Sequence, residues 1–165
     1  NDLSNKKFMV AVGGISANPE RSADFYLSSA VSETHKVPMI KCSDIKRFNN
    51  FAAIDSEDVT IVENRGGTNQ DFVLKNIKHA PILLVNSNFT ALETISGRQN
   101  TSTHPYVMFT DNVEVDYRHR INPLLCQAKI LEKFSSSDKV FLFAKSTEGA
   151  KLRDAFNNWW KGQKH

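Results

Sequence analysis

Asn64-Arg65-Gly66-Gly67-Thr68-Asn69 stands between an apolar run, Val59 to Val62, and a helix-like segment that begins at Asn69. A Gly-Gly pair at a strand exit lets the backbone turn tightly. It also bares N–H groups at the start of a helix, where the helix dipole favours negative charge. The stretch reads either as a tight turn and nothing more or as an anion cradle, and on both readings it joins a strand to a helix. It carries neither the G-x-G-x-x-G dinucleotide pattern nor the P-loop pattern.

Working outward, the strand-then-helix pattern recurs. Thr68 stands as a cap before Asn69 to Ile77, Asn88 follows the run Pro81 to Val85 and precedes Phe89 to Ile95, and Asp111 follows Tyr106 to Phe109 and precedes Asn112 to Arg120. Each cap residue offers a side-chain oxygen to the first-turn amides. Strand then helix, repeated, predicts right-handed crossovers onto a parallel sheet. Ligands collect at the carboxyl ends of such strands, which here carry the Gly66-Gly67 turn and Thr110-Asp111.

The flanks predict a second lobe. Ahead lie a strand over Phe8 to Val12, a turn at Gly13-Gly14, a helix started by Pro19 and capped by Asn18, and a strand around Val37 to Cys42. Behind lie a strand over Val140 to Ala144 and a helix from Thr147 whose Leu152, Phe156, Trp159 and Trp160 form an apolar stripe. Gly97 to His104 is polar and turn-rich, a surface insertion. The expectation is an α/β protein with lobe one discontinuous over 1–42 and 127–165 and lobe two over 43–126. A hinged cleft between two lobes is a place where small ligands bind.

Composition narrows the function classes. With 165 residues and 40% hydrophobic content the chain can bury a core, and its net charge of +3 is spread among interspersed acids and bases. No nucleic-acid partner is expected, and no apolar run nears the ~20 residues of a membrane span. The chain opens at Asn1 without Met, so a removed signal peptide is expected. His35, His79, His104, His119 and His165 lack metal-ligand spacing, and so do Cys42 and Cys126, so neither metal nor cofactor is expected. The two cysteines read as one disulfide in an oxidising compartment or as two buried thiols. Asn88-Phe89-Thr90 and Asn100-Thr101-Ser102 match the glycosylation sequon, the first being better explained as a helix cap.

Thr110-Asp111-Asn112-Val113-Glu114 supports two readings. Asp111 as N-cap with Glu114 three residues on is a capping box. The same spacing puts two carboxylates near one another facing a cleft, where repulsion and desolvation push one pKa up and make a general acid. Arg21 is a surface residue of a first turn or a two-pronged clamp for a carboxylate. Lys36 reads as a solvent-facing lysine or as one reaching the cleft.

Taken in order, these pieces resemble the bacterial periplasmic solute-binding proteins for polar amino acids. Gly14-Ile15-Ser16 followed by Asn18-Pro19-Glu20-Arg21 looks like their first-lobe signature. Within that family the motifs are most similar to those of the cyclohexadienyl dehydratases. Lys36-Val37-Pro38-Met39-Ile40-Lys41-Cys42 resembles a Lys-Thr-Pro-Ile-x-x-Cys hinge strand, and Phe48 followed by Ile54-Asp55 is similarly spaced. Asn64 to Asn69 resembles Asn-Pro-Gly-Gly-Thr-Asn, Thr110 to Glu114 resembles Thr-Asp-x-x-Glu, and Pro123-Leu124-Leu125-Cys126 stands where that group has Pro-Glu-Leu-Cys.

The resemblance implies a two-lobed periplasmic-binding-protein fold of type II, with parallel sheets and helices on both faces. It implies a small carboxylate or amino-acid ligand, a periplasmic location, and either a homo-oligomer or an ABC permease as partner. It places the ligand's carboxylates on Gly14, Ser16 and Arg21 in lobe one and on Gly67, Thr68 and Asn69 in lobe two, with Lys36 and Arg65 as further candidates. Glu114 becomes the catalytic acid for prephenate or arogenate, and Asp111 meets a ligand amino group or orients Glu114. In a non-catalytic amino-acid-binding protein Glu114 merely caps. Cys42 and Cys126 become a disulfide across the hinge. The chain departs from the pattern at Arg65, which replaces a proline, at Ser28-Ser29-Ala30-Val31 in place of Ser-x-Pro-Tyr, and in the loop enlarged by Gln99 to His104. Family members also carry a further segment before the Gly14 region, so lobe one is expected to be incomplete.

Overall fold

The structure, a computed structural model, describes residues 2–5, 7–97, 104–134 and 136–163. The sequon at Asn100 and the terminal His165 lie outside the described residues. Two compact units emerge, Asn1–Thr34 with Ser136–His165 and, between them in sequence, His35–Ser135. Packing thus puts the chain crossings outside the 42 and 126 expected from sequence. The reason is that Val37 to Lys41 pair with strands of the second unit, and Ala128, Ile130 and Phe134 pack into its core.

The second unit holds a mixed sheet in the order β5-β4-β6-β3-β7. Its strands are β3 (Ser32–Lys41), β4 (Thr60–Asn64), β5 (Ile82–Val85), β6 (Tyr106–Asp111) and β7 (Leu125–Gln127). β4 runs parallel to β5 and β6, as the strand–helix repeats predict. β3 runs antiparallel to β6 and β7, so the sheet is not wholly parallel. The crossover rule governs strands joined through a helix packed on the sheet; β3 and β6 are brought together from distant parts of the chain.

Consecutive strand residues point to opposite faces, and the core divides accordingly. Ile40, Ile61 and Phe109 join one cluster with Val73, whereas Met39, Val62 and Met108 join the other with Ala91, Leu92, Ile95 and Val115. Thus α3 (Thr68–Asn76) covers one face, and α4 (Asn88–Ser96) and α5 (Asn112–Ile121) cover the other. Phe109 meets the rings of Phe51, Phe72 and Phe134 at centroid distances of 6.2, 5.1 and 5.7 Å.

The helix starts correct three expectations. Gly67, at φ 88°, is the N-cap of α3 in place of Thr68. Ser87 rather than Asn88 caps α4, its Oγ accepting from Thr90 N–H at 3.1 Å. Asp111 occupies the N-cap position of α5, yet its side chain makes no capping bond.

Asp55 ends the short α2 (Phe51–Ile54) and accepts the backbone N–H groups of Lys78, His79 and Ala80 at 2.7 to 3.1 Å. Burial pushes its carboxyl up, but these amides and the nearby His79 outweigh burial and hold it below the usual 3.8. Its contribution is therefore present above pH 3.8 and lost as pH falls through the lowered folded value. Asp55→Asn is expected to cost about 2 kcal/mol at neutral pH in urea unfolding, the difference shrinking in acid.

In the first unit β1 (Val10–Ala11) and β2 (Tyr26–Leu27) flank β9 (Leu142–Phe143) in an antiparallel sheet. The expected strand over Val140 to Ala144 is thus shorter, and β8 (Ser136–Lys139) precedes it. Asn18 caps α1 (Pro19–Asp24) through Oδ1 as predicted. On α6 (Thr147–Lys161), Phe156 packs on Phe141 and Phe143, and Trp160 Nε1 donates to the Ala30 carbonyl at 2.9 Å. Leu152 and Trp159 remain exposed, so the predicted stripe is buried only in part. Among the described residues no helix is long and apolar enough to cross a membrane.

Candidate functional site

At the carboxyl ends of β4 and β6 a connected set of polar side chains gathers around Lys36. In the antiparallel register Lys36 stands opposite Asp111; its side chain is 8% exposed, and its ammonium lies 3.0 Å from Asp111 Oδ1. The same Nζ donates to Thr68 Oγ1 at 3.4 Å and to Asn69 Oδ1. Asn69 Nδ2 reaches Thr110 Oγ1 at 3.5 Å, and that hydroxyl donates to Glu114 Oε2 at 2.7 Å. Arg118, one helical turn beyond Glu114, donates to its Oε1 through Nη2 at 3.2 Å. Lys36, Thr68, Asn69, Asp111 and Glu114 are thereby brought together, with Thr110 and Arg118 added.

The capping box is not formed. Asp111 turns to the buried ammonium of Lys36 on β3, and Glu114 turns to the Thr110 hydroxyl and to Arg118 one turn along its own helix, because charge-assisted partners are stronger than the first-turn amides. The anion cradle is partly filled by the chain itself, Gly66 N–H donating to Gln70 Oε1 at 2.7 Å. The first turn of α3, with Thr68 and Asn69, receives no side-chain cap. Gly66 and Gly67 both have positive φ, 77° and 88°, the conformation glycine tolerates best. Arg65 is exposed. A cavity of ≈ 250 Å³ opens beside Lys36, lined also by Pro38, Gln127, Ile130 and Phe134.

The carboxyl pushed upward here is one that the motifs did not single out, Glu63 on β4. Burial raises it to about 8 and Glu114 adds to the effect, against the Phe109 amide and Lys36, which act to lower it. Period-two alternation was the available signal: Glu63 follows Ile61 by two residues and so shares its core-facing side.

In the first unit Gly14 and Ser16 lie in the loop before α1, and Arg21 lies within α1 and reaches back to that loop. Ser16 is buried, its Oγ accepting from Lys139 Nζ at 2.6 Å and its carbonyl from the Arg21 guanidinium. Lys139, supplied by β8, was not foreseen. Gly14 adopts φ 62°.

Cys42 and Cys126 are joined as a disulfide with Cα atoms 4.9 Å apart. His119 lies near both sulfurs and bonds the Leu125 carbonyl through Nδ1 at 2.7 Å. With the sulfurs bonded to each other, this grouping does not present three free ligand atoms.

No family model matches the chain. It is 33% identical over 142 residues to cyclohexadienyl dehydratase of Pseudomonas aeruginosa, an alignment covering 86% of this chain and 51% of that protein. The chain thus spans about half the length of this curated relative. Among solved structures, an ancestral cyclohexadienyl dehydratase, AncCDT-3(P188L), matches with TM-score 0.54 at 27% identity, over 98% of this chain and 64% of that one. The ancestral amino acid-binding protein AncCDT-1 matches with TM-score 0.79 at 20% identity, over 98% and 65%. Holo ArgBP of T. maritima matches with TM-score 0.77 at 16% identity, over 98% and 66%. By sequence the chain is a relative of cyclohexadienyl dehydratase, and its α/β fold is that of the amino-acid substrate-binding proteins of ABC transport.

Proposed function

We propose that this chain belongs to an enzyme of the cyclohexadienyl dehydratase type, acting on a small cyclic carboxylic acid such as prephenate or arogenate. The observation that carries the reading is the Lys36–Asp111 pair. The resemblance gives Asp111 either to a ligand's amino group or to orienting Glu114, and an ammonium from the chain already occupies it. A site that supplies its own cation suits a ligand bound through carboxylates. Gly67, Thr68 and Asn69 in the second unit are proposed to receive one carboxylate, with Lys36 holding that turn in place. Gly14, Ser16 and Arg21 are the carboxylate-binding candidates of the first unit.

Glu114 is the proposed acid. Its proton passes to the C4 hydroxyl of the ring, which departs as water; the bond from C1 to the ring carboxylate breaks and releases carbon dioxide, and that electron pair completes the aromatic ring. Glu114 then recovers a proton from solvent. The Cys42–Cys126 disulfide suits an oxidising compartment, in keeping with a periplasmic location. Glu114→Gln is expected to lower prephenate turnover at least ~100-fold while calorimetric binding persists. Turnover unaffected by that change would overturn the reading.

One observation favours a second reading, a non-catalytic binding protein of an ABC uptake system. Every hydrogen bond described for Glu114 is donated to it, by Thr110 and Arg118, the arrangement of an ion-paired acceptor. Tighter binding of amino acids than of prephenate, with no turnover of either acid, would decide for it.

A further inference from the structure

The ladder between β4 and β6 pairs Thr60 with Tyr106 and Ile61 with Val107. Two positions further along, Phe109 N–H donates to a side chain, Glu63 Oε1, at 2.6 Å. Glu63 is wholly buried, and its other oxygen, Oε2, meets no hydrogen-bond partner among the described residues. An unpartnered buried carboxyl is costly, and an ionised one far more so. A residue that only filled this space would be apolar, like its neighbours Ile61 and Val62.

The charges facing Glu63 come from two other elements. Lys36 on β3 attracts a negative charge there and Glu114 on α5 repels one. Each is already paired, Lys36 with Asp111 and Glu114 with Arg118. The proton on Glu63 therefore changes the charge of this cluster by one unit.

We infer that Glu63 sets the ligand charge that this site accepts: as a neutral acid it leaves the site open to a small carboxylate, and as a carboxylate it repels one and competes for Lys36. The inference rests on the carboxylate-binding reading above. Burial raises the Glu63 carboxyl to about 8, so the change falls just above neutrality.

The test is calorimetry of prephenate and phenylpyruvate against the wild type and Glu63→Gln, from pH about 6.5 to about 9.5. Alongside it, ¹³C NMR follows the Glu63 carboxyl of the ligand-free wild type. Wild-type affinity is expected to fall about tenfold per pH unit above the Glu63 titration, while Glu63→Gln binds evenly across the range. Wild-type affinity that stays flat, or an equal fall in Glu63→Gln, overturns the inference and leaves the carboxylate reading standing. A Glu63 carboxyl titrating in the ordinary range overturns it without recourse to the variant. Absence of binding by either acid at every pH removes the carboxylate reading, and this inference with it.

Discussion

Above pH ~8, Glu63→Gln is expected to be more stable than the wild type by about 5 kcal/mol, and below pH ~4.5 the two are expected to be equal. In the unfolded chain Glu63 ionises near 4.5, whereas in the fold burial keeps its proton to about 8. Between those values the unfolded wild type releases a proton that the folded protein holds. The folding equilibrium therefore weakens about tenfold with each pH unit through this window. Gln has the same shape, retains an oxygen for Phe109 N–H and carries no charge at any pH. Thermal unfolding across the range is the measurement, with the variant's midpoint roughly 10 °C or more higher at the alkaline end. Identical pH profiles for the two proteins would show that Glu63 does not hold a proton in the fold.

Opening the disulfide is expected to cost about 4 kcal/mol. Cys42 and Cys126 stand 84 residues apart in sequence, and a crosslink closing so large a loop removes much of the unfolded chain's freedom. The native geometry is already in place: Cys126 stands opposite Ile40 in the β3–β7 ladder, and Cys42 N–H donates to the Leu124 carbonyl at 2.7 Å. Urea unfolding with and without a dithiol reductant reads the effect, and Cys42→Ser combined with Cys126→Ser should reproduce the reduced midpoint. A midpoint that does not move on reduction would show that the crosslink adds nothing to the surrounding packing.

The alternation of apolar runs and helix starts made β4–α3, β5–α4 and β6–α5 legible in the sequence, because those signals are local. The antiparallel course of β3 was not legible, since strand direction follows from how distant segments meet. The cap of α1 at Asn18 was legible, and that of α4 was shifted by one residue: Ser87 and Asn88 are both competent, and only the backbone at the helix start chooses between them. Thr68, Asn69, Asp111 and Glu114 were legible as a group because they flank two neighbouring strand ends. Their bonding was not, because Lys36 and Arg118 draw the carboxylates away from the amides that sequence spacing offers them. Glu63 was readable by alternation with Ile61, yet a charged residue at the end of an apolar run looks like the start of a loop.

The Cys42–Cys126 bond also has a mechanical consequence. A pull applied at the two ends of this polypeptide passes from residue 42 to residue 126 through sulfur, bypassing the segment between them. That segment cannot lengthen under load until the bond is cut. In an optical trap, adding a reductant should release a further extension of roughly 300 Å, the reach of its 84 residues at about 3.6 Å each, that the oxidised protein never shows.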